Sequence, residues 1–103
     1  MVEVIWSYKA YDDYKNIVEF IALDSEYYAS LIARKIWTEI KRIGINPFAA
    51  RKVPEAGYNN HIREFITGNY RIIFQIIDNK CYLLTIHHTS RNLKKKSLLA
   101  QLR

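Results

Sequence analysis

Two residues, Asp24 and Ser25, separate two stretches of helical apolar periodicity, and this joint constrains the chain more than any other feature. In the first stretch, Ser7 to Leu23, the apolar positions Ala10, Tyr14, Ile17, Val18, Ile21 and Ala22 fall at helical spacing. Ser7 supplies an N-cap oxygen, and Asp12 and Asp13 lie in the N-terminal half, where the helix dipole favours negative charge. In the second, Ala29, Ile32, Ala33, Ile36, Ile40 and Ile43 form the stripe. Asp24-Ser25 breaks the first helix and caps the second, Glu26 sits in the first turn, Lys41 and Arg42 lie near the C-terminal end, and Gly44 is the expected stop. So short a joint between two helices demands an antiparallel hairpin.

The rest of the chain reads as strands. Val2–Trp6 is a short β-rich run before the hairpin. After a loop from Asn46-Pro47 to about Asn60 come His61–Ile66, Tyr70–Ile77 and Cys81–His88. Thr67-Gly68-Asn69 and Asp78-Asn79-Lys80 separate them with hairpin-turn chemistry. In the middle strand Tyr70, Ile72, Phe74 and Ile76 share one face, and the semi-polar set Arg71, Ile73, Gln75 and Ile77 shares the other, which is expected to be partly open. Leu98, Leu99 and Leu102 suit a short C-terminal helix behind Lys94-Lys95-Lys96. The fold expected is α+β in the order β-α-α-β-β-β: a helical hairpin packed on a mainly antiparallel sheet of four to five strands, within one domain over residues 1–103. The pattern leaves the strand order open.

Charge separates the two parts. Residues 1–50 carry six basic and seven acidic side chains, whereas residues 51–103 carry ten basic and three acidic, so the net +6 is −1 over the hairpin and +7 over the sheet and tail. That sign suits a polyanionic or acidic partner. A single cysteine, Cys81, excludes an internal disulfide and a Cys-based zinc site. No basic leader precedes an apolar stretch at Met1-Val2-Glu3-Val4, and no 18 apolar residues run together, so the expectation is a cytoplasmic protein without a membrane partner.

Three constellations carry possible chemistry. His88 and Arg91 pair a group that titrates near neutrality with a permanent cation whose fork fits phosphate, the minimum for RNA cleavage; a sheet-edge histidine and an arginine bonded to a carboxylate or carbonyl is the more ordinary account of them. His87 and His88 point to opposite faces and cannot chelate one ion as neighbours, so no metal site is expected. Arg51, Lys52, Arg63, Arg71, Arg91 and Lys94, Lys95 and Lys96, interleaved with Tyr58, Tyr70 and Tyr82, form a basic lane able to track a phosphate backbone, although Glu64 on the adjoining strand offers Arg71 a structural partner. Leu31 and Trp37 lie off the main stripe of the second helix and would suit a partner helix. Cys81 has no base beside it in sequence, and no phosphate-cradling loop or Ser-His-Asp set is present.

Val4-Ile5-Trp6-Ser7, Ile21-Ala22 with Asp24-Ser25, Val53-Pro54-Glu55, Arg63-Glu64-Phe65, Gly68-Asn69-Tyr70-Arg71-Ile72-Ile73-Phe74 and His88-Thr89-Ser90-Arg91 resemble, in this order over residues 2–93, the RelE/ParE superfamily of type II toxins, and most closely its ParE branch. The resemblance implies a toxin that uses no cofactor and is neutralised by a cognate antitoxin in a hetero-oligomer, with Leu31 and Trp37 as antitoxin contacts. It also implies that the first strand lies beside the last. Two targets compete within the superfamily. ParE-like members poison DNA gyrase, with the basic lane as the target-binding surface; RelE-like members cut messenger RNA on the ribosome, with His88 and Arg91 as catalytic residues here. The nucleases carry an arginine just before the strand turn, where this chain has Ile66, and no tyrosine follows Arg91, so gyrase is favoured. A plain nucleic-acid-binding module is the reading outside the toxin class.

Overall fold

Each helix begins on a serine. Ser7 Oγ accepts the backbone N–H of Ala10 at 3.0 Å, and Ser25 Oγ accepts that of Tyr28 at 3.0 Å, so each satisfies a donor that the first helical turn leaves unpaired. The computed structural model describes residues 1–103. Strand β1 (Glu3–Trp6) leads into α1 (Tyr8–Ala22) and α2 (Glu26–Ile45), which form the antiparallel hairpin. The 46–60 segment is more ordered than its sequence suggests: 3-10 turns at Pro47–Ala49 and Pro54–Ala56 flank a two-residue strand, β2 (Arg51–Lys52). Strands β3 (Ile62–Thr67), β4 (Tyr70–Ile77) and β5 (Lys80–His88) and a short helix, α3 (Lys95–Leu99), complete the chain.

Gly44 does not stop α2. The helix continues to Ile45 and ends where Pro47 disfavours helical backbone at Asn46. At Gly44 the helix comes close to β1: its carbonyl accepts the Val2 N–H at 2.8 Å, and a Cβ there would sit a tight 3.3 Å from the Val2 carbonyl oxygen.

The sheet runs β1-β5-β4-β3-β2, with β1 parallel to β5 and every other pair antiparallel. The first strand therefore does lie beside the last. Gly68 (φ +55°) and Asp78 (φ +54°) take the left-handed positions of the two tight turns. One register slip matters: Ile73 faces Thr85 and Phe74 faces Leu83, so Leu84 has no partner on β4. The extra residue lets Leu83 and Ile86 both join the core under the helices, which strict alternation forbids.

That core packs Ile32, Ile36, Ile40 and Ile43 of α2 on Ile72, Phe74, Ile76, Cys81, Leu83 and Ile86. The other sheet face is not open as expected. Val53, Ile62, Ile73 and Leu84 make a second core there, closed by Leu98 of α3. Asp13 ties α1 to the slip: its carboxylate accepts Thr85 Oγ1–H at 2.5 Å and the Ile86 N–H at 3.1 Å, and pairs with Lys9. No helix is long and apolar enough to cross a membrane.

Candidate functional site

Strand β4 begins where β5 ends, so the register Tyr70–His88 and Arg71–His87 gathers polar side chains at one end of the sheet. His88 lies edge-on to the Tyr70 ring, with centroids 5.2 Å apart. With Ser90 and Arg91 these residues line one wall of a cleft of about 670 Å³, whose opposite wall is the Ile17, Phe20 and Ile21 face of α1. Burial raises the Tyr70 phenol above its ordinary value, with Tyr28 adding to the shift and Arg91 opposing it.

The ring of His88 is already committed at one nitrogen. The Ser90 backbone N–H donates to Nδ1 at 3.1 Å, and Ser90 Oγ lies 2.7 Å from the same atom. Because a backbone amide only donates, Nδ1 is an acceptor and the neutral ring carries its hydrogen on Nε2. The nitrogen facing away from Ser90 is thus a donor with no lone pair to take a proton. His87 instead uses Nε2 on the Arg91 carbonyl, at 3.0 Å. No carboxylate orients either imidazole within bonding reach. The arrangement can hold an anion beside Arg91, but the outward nitrogen of His88 is not the free base that hydroxyl activation requires. Neither Ser90 as the partner of His88 nor the Arg91 carbonyl as that of His87 is legible in the sequence, where a hydroxyl two positions after a histidine is the only local signal.

The expected basic lane does not form as one surface. Pleat alternation and the β2–β3–β4 register put Arg51 and Arg71 on the α3 side of the sheet, with Lys52 and Arg63 on the other. Arg71 is consumed by the fold: it makes a bidentate pair with Glu55, at 2.7 and 2.9 Å, and donates Nε–H to Glu64 at 2.6 Å. Arg51 Nε lies 2.8 Å from the other oxygen of Glu64, a charge contact not aligned as a hydrogen bond. The bond from Arg71 holds the Glu55 carboxyl below its ordinary value, and the bonds to Glu55 and then Glu64 push the Arg71 guanidinium higher still. Arg63 donates to the Ala50 carbonyl at 2.8 Å and to Asn60, and covers the Phe48 ring. Lys52 is exposed and unpaired, and so are Arg91, Lys94, Lys95 and Lys96. Ile66, opposite Arg71, is 42 % exposed and brings no cation to the turn.

Leu31 and Trp37 do not share a patch. Six residues apart on a helix, they point about 120° away from each other. Leu31 is half-buried; Trp37 donates its indole N–H to Tyr14 OH at 3.0 Å and packs on Trp6, centroids 5.3 Å apart. At the bend of the hairpin Phe20, Leu23 and Tyr27 are exposed together. No group of three His, Cys, Asp or Glu side chains is placed to hold a metal ion.

A family model described as the ParE toxin of the type II toxin-antitoxin system, parDE, matches residues 4–93. The chain belongs to the ParE toxin family. No curated protein is similar enough in sequence to match it. Among solved structures, a chain of the chromosomal ParDE TA system from P. aeruginosa is similar at a TM-score of 0.70 and 16 % identity, over 87 % of this chain and 98 % of that one. At that identity the likeness concerns the fold. The ParE assignment makes this a ParE-type toxin of a type II toxin-antitoxin system. The match ends at residue 93, so it includes His88, Ser90 and Arg91 but stops before the three lysines of the tail.

Proposed function

We propose that this ParE-type toxin arrests growth by poisoning DNA gyrase, without a catalytic residue of its own, and is neutralised by a cognate antitoxin. The observation that carries the reading is the ParE family match over residues 4–93. The hydrogen-bonded state of His88 supports it from chemistry, because a nuclease needs a free base where this ring offers a donor. The missing cation at Ile66 and the commitment of Arg71 to Glu55 and Glu64 weigh the same way: transition-state charge would fall to Arg91 alone at that end of the sheet. Target contact is assigned to the unpaired cations Arg91, Lys94, Lys95 and Lys96. The exposed bend at Phe20, Leu23 and Tyr27 suits an antitoxin segment that covers apolar surface.

A supercoiling assay with purified gyrase tests the proposal. The toxin is expected to inhibit supercoiling and to trap cleaved DNA. Unaffected supercoiling at toxin levels that arrest growth would sink it.

A further inference from the structure

Sorting the chain's cations by what they touch leaves one concentration unexplained. Lys9, Arg42, Arg51 and Arg71 are ion-paired, Arg63 is bonded to carbonyls, and Arg103 lies over the Tyr82 ring at 4.2 Å. Lys15, Arg34, Lys35, Lys41, Lys52 and Lys80 are exposed without an ion pair but are spread over the chain, no more than two together, whereas the tail concentrates four. Arg91, Lys94, Lys95 and Lys96 are all exposed, and none makes an ion pair or a side-chain hydrogen bond. They fall within six residues, and no acidic residue follows Asp78. Four free cations this close repel one another, and a partner carrying closely spaced negative charge relieves that repulsion.

Aromatic placement says which kind of polyanion. Single-stranded nucleic acid is held by stacking bases on exposed rings along a basic groove. Here Tyr82, on the tail's side of the sheet, is already covered by the Arg103 guanidinium, and Tyr70 is half-buried and edge-on to His88. No aromatic side chain occurs from Arg91 to Arg103, so with charge left free and no ring interleaved among these cations the tail suits the phosphate backbone of a double helix, whose bases are already stacked on each other.

We infer that Arg91, Lys94, Lys95 and Lys96 bind double-helical DNA directly, so that the toxin grips the nucleic acid itself and not only an enzyme that works on it. This rests on reading that edge as the target-facing surface, but it is measurable with no enzyme present.

The experiment is fluorescence anisotropy of a short labelled DNA duplex with the full-length toxin across a salt series. Four phosphate contacts predict a log–log salt slope of about −3.6, equivalent to about a hundredfold loss of affinity between roughly 50 and 200 mM salt. The triple variant Lys94→Gln/Lys95→Gln/Lys96→Gln should flatten the slope to about −0.9, and Arg91→Gln alone should reduce it by about one. Lys35→Gln, an exposed cation on α2, should change neither slope nor affinity. Matching thermal melts establish that the variants fold. An unchanged slope in the folded triple variant would overturn the inference. So would tighter binding to single strands, or binding to anionic lipid vesicles with none to the duplex. Supercoiling assays on the same proteins keep the two readings apart. A wild type that inhibits gyrase but does not bind duplex fails this inference alone. One that binds duplex but leaves gyrase untouched fails the gyrase reading alone.

Discussion

Arg71 holds two carboxylates at once, and one of them, Glu64, is fully buried. Removing the arginine leaves that charge with only a poorly aligned contact from half-exposed Arg51. Arg71→Ala is therefore expected to cost about 3–5 kcal/mol, read by urea denaturation, because an unpaired buried charge costs more than the pair contributes. The same network sets an acid limit. The Glu55 carboxyl titrates lower folded than its ordinary 4.5, so its contribution is present above that pH and is lost as pH falls from there through the folded value. Glu55→Gln should remove that part of the acid-unfolding limb while leaving Glu64 in place. Cys81 gives a second test: burial alone pushes its thiol up to about 11, so thiol reagents should leave the native protein unlabelled at neutral pH and label it fully in denaturant. Half of the Arg71 arrangement was legible, since Glu64 lies on the neighbouring strand. Glu55 was not, because only the 3-10 turn at Pro54–Ala56 brings it back over the sheet.

Among the elements, the helical hairpin was the most legible, because Ser7 and Ser25 act locally and the apolar stripes need no distant partner. The tie between Asp13 and Thr85 was invisible, since 72 residues separate them and only the register slip at Leu84 presents both Thr85 Oγ1 and the Ile86 N–H. The tail is the clearest case of an element made by packing. Helix α3 has five residues, no side-chain cap and lysines at its N-terminal end, where the dipole disfavours them. Leu98, 1 % exposed in the second core, holds it down. Leu98→Ala should cost about 2–5 kcal/mol if the tail stays docked. If it undocks, proteolysis at Lys94–Lys96 should quicken well before global unfolding, a difference that limited trypsin digestion resolves. The semi-polar face of β4 read as partly open because its cover comes from two places distant in sequence, Val53 and Leu98.

Over the whole molecule, net charge divides between hairpin and tail, but most of the sheet's arginines are spent on internal partners. The densest set of cations left free is the Arg91–Lys96 edge, while the hairpin bend offers apolar surface. One molecule thus presents two surfaces of different chemistry, which fits a toxin with a polyanionic target and a separate neutralising partner. On the proposed function, toxicity passes through gyrase and needs no acid–base residue. The most direct test is induced expression of wild type and His88→Ala, with DNA breaks and message ends mapped in the same cells. DNA breaks with intact messages are expected, with undiminished toxicity in the variant. Codon-linked message cuts that vanish with His88→Ala would contradict it.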